Sequence, residues 1–312
     1  MRIITDIRQF HGRVNKPVVT IGIFDGVHRG HQRVLRRVVS RARRIGGTAI
    51  VLTFDPHPKK IVRLIGTPPL LASLRQRIEL IRHAGIDIVC VLDFNAAYAR
   101  RSAADFIEKT LVGIIGVHTV VIGSDFRFGR SQRGDLALLT ALGTKFGYAV
   151  EGVPPVIKSS LPVSSTRIRA LIQRADLAGA RSLLGREVSI NGIVVRGSRR
   201  GRRIGVPTAN IRPYHDAVPP SGVYAVYVII DGKRYRAALS IGTRPTFRNS
   251  GKSGADARPV IEAHIFGFNR KIYGKEVEVI VVKRLREQTR FSDTAKLLQQ
   301  IRIDERNARM VL

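Results

Sequence analysis

The 312 residues carry 54 lysines and arginines against 23 acidic side chains, a formal net charge of +31, with 44% apolar residues as in ordinary globular proteins. The length leaves room for two domains, each with its own core, and a single cysteine excludes a disulfide framework. No apolar run is long enough to span a membrane, and the first ten residues lack a signal-peptide core, so the expected location is cytoplasmic.

Through the first half, apolar runs rich in β-branched residues alternate with amphipathic stretches. Strands are predicted over 18–23, 48–54, 86–94, 117–123 and 149–153. Helices are predicted over 32–45, 74–84, 102–112, with Ser102 as N-cap, and 135–146. Near-continuous apolar strands between helices describe an α/β fold with a parallel sheet covered on both faces. Ligands of such sheets bind beyond the carboxyl ends of the strands. Cys90 lies inside the third run and reads as an inert core thiol.

The first strand runs into T-I-G-I-F-D-G-V-H-R-G-H-Q, residues 20–32. This is a strand, a glycine-bearing turn through Gly22, Phe24, Asp25 and Gly26, and a helix start that presents His28 and His31. Free N–H groups and the helix dipole attract anions at such a point. Two imidazoles there can donate to phosphoryl oxygens as charge builds on them. The same pattern suits a metal pair or a polar loop, but the cysteine is distant and no third zinc ligand is near.

Three further stretches lie at the ends of predicted elements. His57, in T-F-D-P-H-P, is either a turn residue or a nucleotide or flavin contact. Asp125-Phe-Arg-Phe128 follows the fourth strand, and its two rings suit a hydrophobic staple or the walls of a flat heterocycle. Ser164, Ser165 and Thr166 with Arg167 precede a short helix, as an N-cap or as a triphosphate cradle.

G-x-F-D-G-V-H-x-G-H resembles the signature of the nucleotidyltransferase superfamily, and S-S-T-R-I-R resembles its second signature. More narrowly, with D-F-R-F-G and the following R-G-D, the first half is similar to the adenylyltransferase module of bacterial bifunctional riboflavin kinase/FAD synthetases. The resemblance implies a Rossmann-like domain. It would bind ATP at Gly22, Phe24, Asp25, Gly26, Ser164, Ser165 and Thr166, and flavin at Asp125, Phe126, Phe128 and His57.

After a helical segment over 177–184 ended by Gly185, the pattern changes to alternating runs over 187–195, 222–230, 234–241, 260–268 and 275–282. Period-two strands with turns such as Asp231-Gly232 predict an antiparallel sheet or barrel, closed by a helix over 292–309. The domains are therefore expected at 1–184 and 185–312. A basic loop through Arg199, Arg200, Arg202 and Arg203 leads from Gly197 to Gly205 and on to P-T-A-N, where Thr208 and Asn210 offer hard oxygen donors.

P-T-A-N, the G-V-Y at 222, I-G-T-R-P-T-F, E-A-H, L-R-E-Q-T-R-F and Q-I-R-I-D resemble riboflavin kinase motifs, so the resemblance covers the whole chain. It implies an antiparallel β-barrel kinase domain with a terminal helix. Thr208 and Asn210 would hold Mg2+, Gly197 and Gly205 would line ATP, and Glu262 would be the base. By residues alone, Glu262 also reads as a strand glutamate paired to an arginine. The chain departs from the family at Val206, Ser240 and Gly267, where Phe, Asn and Asp are usual.

The activity implied is phosphorylation of riboflavin to FMN, then adenylylation of FMN to FAD, each with ATP. His28, His31 and Arg167 would serve the second reaction. Two rivals stand beside it: an FMN adenylyltransferase with a weakened kinase domain, and a basic nucleic-acid-binding protein on the same scaffold. The charge attracts polyanions in general, but the arginines are spread out and no aromatic platform interleaves them. Small molecules are therefore the expected partners, with no specific nucleic acid and no membrane. The sequence leaves oligomeric state open.

Overall fold

The computed structural model describes residues 1–10, 14–62, 67–197, 204–242, 259–289, 291 and 293–312. The arginine-rich loop and the I-G-T-R-P-T-F segment beyond Gly242 lie outside them, as does Ser292. The chain forms two compact units. One comprises Met1–Pro68 and Leu74–Ser165, the other Pro69–Ser73 and Thr166–Leu312.

The first unit runs β1 Arg2–Ile4, β2 Pro17–Ile21, α1 Arg29–Arg44, β3 Thr48–Asp55, α2 Pro58–Val62, α3 Leu74–His83 and β4 Ile88–Asp93. It continues with α4 Ala96–Ala99, α5 Ala103–Phe106, β5 Thr119–Gly123, α6 Leu136–Phe146, β6 Ala149–Val153 and the hairpin β7 Ile157–Lys158 with β8 Leu161–Pro162. Six strands form one parallel sheet in the order β1-β4-β3-β2-β5-β6. The five predicted strands are all present. Arg2–Ile4 is an added edge strand, too short and too charged at Arg2 to register as an apolar run.

Alternate residues of each strand feed opposite faces. Val19, Ile21, Leu52 and Cys90 join one core with Leu111 and Leu139, whereas Val18, Val51 and Val89 join another with Leu35 and Val38. Burial pushes the Cys90 thiol up to about 12, so it is an inert core residue. Ser102 caps α5 through the Asp105 N–H at 3.0 Å. The predicted α-helix then widens into π-helical turns over Ile107–Ile114, along which Ile107 and Leu111 stay buried. The strand order reverses between β2 and β5. The crevice at their carboxyl ends is the ligand position of such sheets.

The second unit opens with α7 Ser165–Gln173, whose first residue closes the other unit, and α8 Leu177–Leu184. Asp176 caps α8 and Gly185 ends it in a left-handed C-cap. Then come β9 Val188–Val195, β10 Ala209–Pro213, β11 Gly222–Ile230, β12 Lys233–Gly242, β13 Val260–Ile265, β14 Glu276–Arg286 and α9 Thr294–Val311. The strands close a barrel in the order β10-β13-β12-β11-β14-β9. Sequence reading gives five of the six. β10 holds P-T-A-N residues and ends on Pro213, so it reads as a turn, yet it bonds to β9 and β13 and closes the barrel.

The late motifs are joined by one part-buried ion pair. Asp304 of Q-I-R-I-D accepts Arg286 Nε and Nη2 at 2.8 and 2.7 Å, and Gln300 Nε2 at 2.9 Å. This ties α9 to β14. Asp304→Ala removes the buried acceptor of these bonds, while Arg286 keeps partial exposure and its bonds to the Glu287 carbonyl and Thr289. The substitution should cost the barrel about 2 kcal/mol, read as a lower thermal midpoint of the full chain.

Candidate active sites

The loop after β2 is wound tightly. Phe24, Gly26 and Val27 are left-handed, at φ 53°, 79° and 40°. A β-branched residue is rarely held there, and such strain gathers at functional sites. The turn is fixed by Val27 N–H donating to the Phe24 carbonyl at 3.0 Å and Gln32 Nε2 donating to the Val27 carbonyl at 2.9 Å. Gly22 donates to the Leu52 carbonyl at 3.0 Å, and Asp25 is buried.

His28 is the N-cap of α1, its Nδ1 accepting the His31 N–H at 3.3 Å. A neutral His28 therefore carries its proton on Nε2. The His31 ring stacks on it at 3.7 Å between centroids, and the edge of Phe24 meets His31 at 5.2 Å. His31 Nδ1 is fully covered and has no partner among the described residues. Burial first, and His28 second, hold its pKa well below 6.5. The loop thus presents neutral imidazole at a positive helix end.

Ser165 of the second signature meets the first signature. Ser165 Oγ donates to the Asp25 carbonyl at 3.0 Å, across 140 residues of chain. Ser164 precedes α7, and Thr166 and Arg167 follow in its first turn. His57 is buried, and its Nδ1 accepts the Lys59 N–H at 3.1 Å, which serves the start of α2. Asp125 is exposed in the turn after β5. Phe126 and Phe128 stack at 5.7 Å, but Phe128 is buried against Phe106 at 5.8 Å. Phe128 is thus a core residue that backs the half-buried Phe126.

In the barrel, register sets Asn210 of β10 and Ser240 of β12 on either side of Glu262 in β13. Paired residues of antiparallel strands point to one face, so the three side chains form a row. Alternation along β13 puts Glu262 on the outward face with Val260 and His264, half-buried. His264 Nδ1 donates to the Pro207 carbonyl at 3.0 Å, which fixes the turn before Thr208. Among the described residues Glu262 has no ion-pair partner. Gly205 lies in the turn ahead of Val206, exposed.

Gly197 packs onto Asn210 so closely that an added Cβ would lie 2.2 Å from Asn210 Nδ2. Gly197→Ala must therefore swing the amide out of the row. It should lower riboflavin phosphorylation by about ten- to a hundredfold, as misplaced groups do, and leave adenylylation of supplied FMN unchanged.

The FAD synthetase family model matches residues 12–167, and the riboflavin kinase model matches 184–312. The bifunctional riboflavin kinase/FMN adenylyltransferase of Pseudomonas fluorescens is 37% identical over 292 residues, 94% of this chain and 92% of the relative. The chain belongs to this bifunctional family. The Escherichia coli K12 member is 34% identical over 308 residues, 97% of this chain and 96% of its own. A crystal structure described as a macrolide-efflux protein from Streptococcus pneumoniae superposes with a TM-score of 0.83 at 32% identity, covering 98% of each chain. Among the described residues no helix is long and apolar enough to cross a membrane.

Two departures from the riboflavin kinase/FMN adenylyltransferase pattern now have a setting. Gly267 is left-handed at φ 67° in the exposed turn after β13, a conformation glycine adopts without strain. Ser240 lies beside Glu262, and Gln288 Nε2 donates to its hydroxyl at 3.2 Å, so an amide still reaches this edge of the row. Motif reading misses Ser240's position and Gln288. It also misses Arg77, a guanidinium three residues after Leu74 and four before Ile81 on the apolar stripe of α3. A charge at a core position of an amphipathic helix is the signal that finds it.

Proposed function

We propose that the chain makes FMN from riboflavin and ATP in its barrel, and FAD from FMN and ATP in its parallel-sheet domain. The observation that carries the reading is the row of Asn210, Glu262 and Ser240 in one half and the Ser165–Asp25 junction of both signatures in the other. In the kinase step Glu262 takes the proton of the ribityl hydroxyl as its oxygen attacks the γ-phosphorus, and ADP leaves. In the adenylyl step an ionised FMN oxygen attacks the α-phosphorus of a second ATP, and pyrophosphate leaves. No base is needed there, so catalysis is positioning and charge stabilisation by His28, His31, Arg167 and the start of α1. Ser164, Ser165 and Thr166 would border ATP, and Phe126 with Asp125 and His57 the flavin side.

Mg2+ suits the kinase donor set. Among the described residues no group of three His, Cys, Asp or Glu could hold an ion alone. Oxygens from Thr208 and Asn210 would leave the rest of its shell to ATP phosphates and water, as Mg2+ prefers. When bound it would neutralise charge at the transferring phosphates. We place the reaction in the cytoplasm. Incubation with riboflavin, ATP and Mg2+ should yield FMN and then FAD over time. FAD from supplied FMN with none from riboflavin would leave an adenylyltransferase alone.

The activities should separate near Gly185, where residues 168–183 fall between the two family matches. A fragment of residues 1–184 should adenylylate FMN, and one of residues 185–312 should phosphorylate riboflavin. Two fragments that both melt cooperatively but lack activity would refute this.

A further inference from the structure

Beneath the Gly22–His28 loop lies a buried cation. Arg77 is 2% exposed. Its Nη1 donates to the Ile23 carbonyl at 2.7 Å and reaches Thr53 Oγ1 and the Phe54 carbonyl at 3.4 Å. Its Nη2 reaches the Phe54 carbonyl at 3.4 Å and Asp55 Oδ1 at 3.5 Å. The Thr53 hydroxyl also donates to the Ile23 carbonyl, at 3.2 Å. One guanidinium therefore gathers the carboxyl ends of β2 and β3.

Burying a charge is costly, and an apolar side chain would fill the same stripe without that cost. Two consequences follow from having arginine there. The Ile23 carbonyl shares a rigid peptide plane with the N–H of Phe24. Fixing that plane fixes the entry to the left-handed Phe24 and the turn that leads to His28. The guanidinium also sets a fixed positive charge below the loop. Burial lowers the pKa of Arg77, while Asp25 and Asp55 oppose the shift. A guanidinium stays charged throughout the working range of pH.

We propose that Arg77 is a positioning residue for adenylyl transfer, setting the His28 loop from below by its fork and its charge. This rests on the reading of that loop as the phosphate site. The test compares Arg77→Met, Arg77→Lys and His28→Ala in the full chain, with melting and riboflavin phosphorylation as controls. Arg77→Met should fold, phosphorylate riboflavin at the wild-type rate and lose about tenfold or more in kcat for FMN adenylylation. KM for FMN should stay within about threefold, and Arg77→Lys should fall between Met and wild type, since it returns charge without the fork. A Met variant within about threefold of wild-type kcat, or a Lys variant no faster than Met, would overturn the assignment. If Arg77→Met fails to fold, Arg77→Gln takes its place in the same comparison. A slow His28→Ala beside a fast Arg77→Met removes Arg77 alone; a fast His28→Ala removes the phosphate-site reading itself.

Discussion

His28→Ala and His31→Ala should each cut FAD formation from FMN by about a hundredfold and leave FMN formation from riboflavin near wild type, because removing one donor to a developing oxyanion costs ~3 kcal/mol. The geometry adds a distinction between the two. His28 caps α1 through Nδ1, so His28→Asn keeps a cap but shortens the reach. Recovery of the melting midpoint without recovery of rate in His28→Asn would separate the two duties. His31 is held neutral by burial and by the imidazole stacked on it. Acidification through 6.5 should therefore not raise the adenylylation rate by charging His31. Measurement of both half-reactions on each purified variant decides the matter. Full-rate FAD synthesis by either alanine variant would remove the histidines from the chemistry.

The parallel sheet was legible because its central strands are apolar on both faces, as strands covered on both sides are; Val18 and Val19 entering opposite cores is its direct consequence. The barrel was legible from period-two alternation, but not its closure. β10 is five residues long, carries Asn210 and Arg212, and ends on proline, so its strand character comes from two neighbours and not from its own pattern. The sites divide in the same way. His28, His31, Ser165, Asn210 and Glu262 sit in dense local motifs. The partners that hold them are scattered: Arg77 lies more than forty residues from the loop it supports, and Gln288 reaches Ser240 from beyond β14. Such pairs are set by tertiary packing, which spacing along the chain does not encode. Phe128 went the other way. Two rings in a polar loop looked alike in sequence, and only the contact with Phe106 makes one of them core.

Glu262→Gln should lower riboflavin phosphorylation by about 10²–10⁴-fold, the usual worth of a general base. Adenylylation of supplied FMN should be untouched, since it belongs to the other domain. The amide keeps the shape of the side chain and its hydrogen bonding but cannot take a proton. The alternative is a surface glutamate whose loss costs nothing, and three features speak against it. Glu262 is half-buried on the outward face of β13, and among the described residues no arginine or lysine pairs with it. It is flanked across the strands by Asn210 and Ser240, so three oxygen-bearing groups stand side by side in one row. Its neighbours are themselves held, Asn210 by the close approach of Gly197 and Ser240 by Gln288. A surface glutamate needs no such fixed setting, whereas a base must meet its hydroxyl within hydrogen-bond reach. Both rates on one purified variant, at saturating ATP and Mg2+, read the outcome. A kinase rate within a few-fold of wild type would return Glu262 to the surface and leave the row to hold ATP alone.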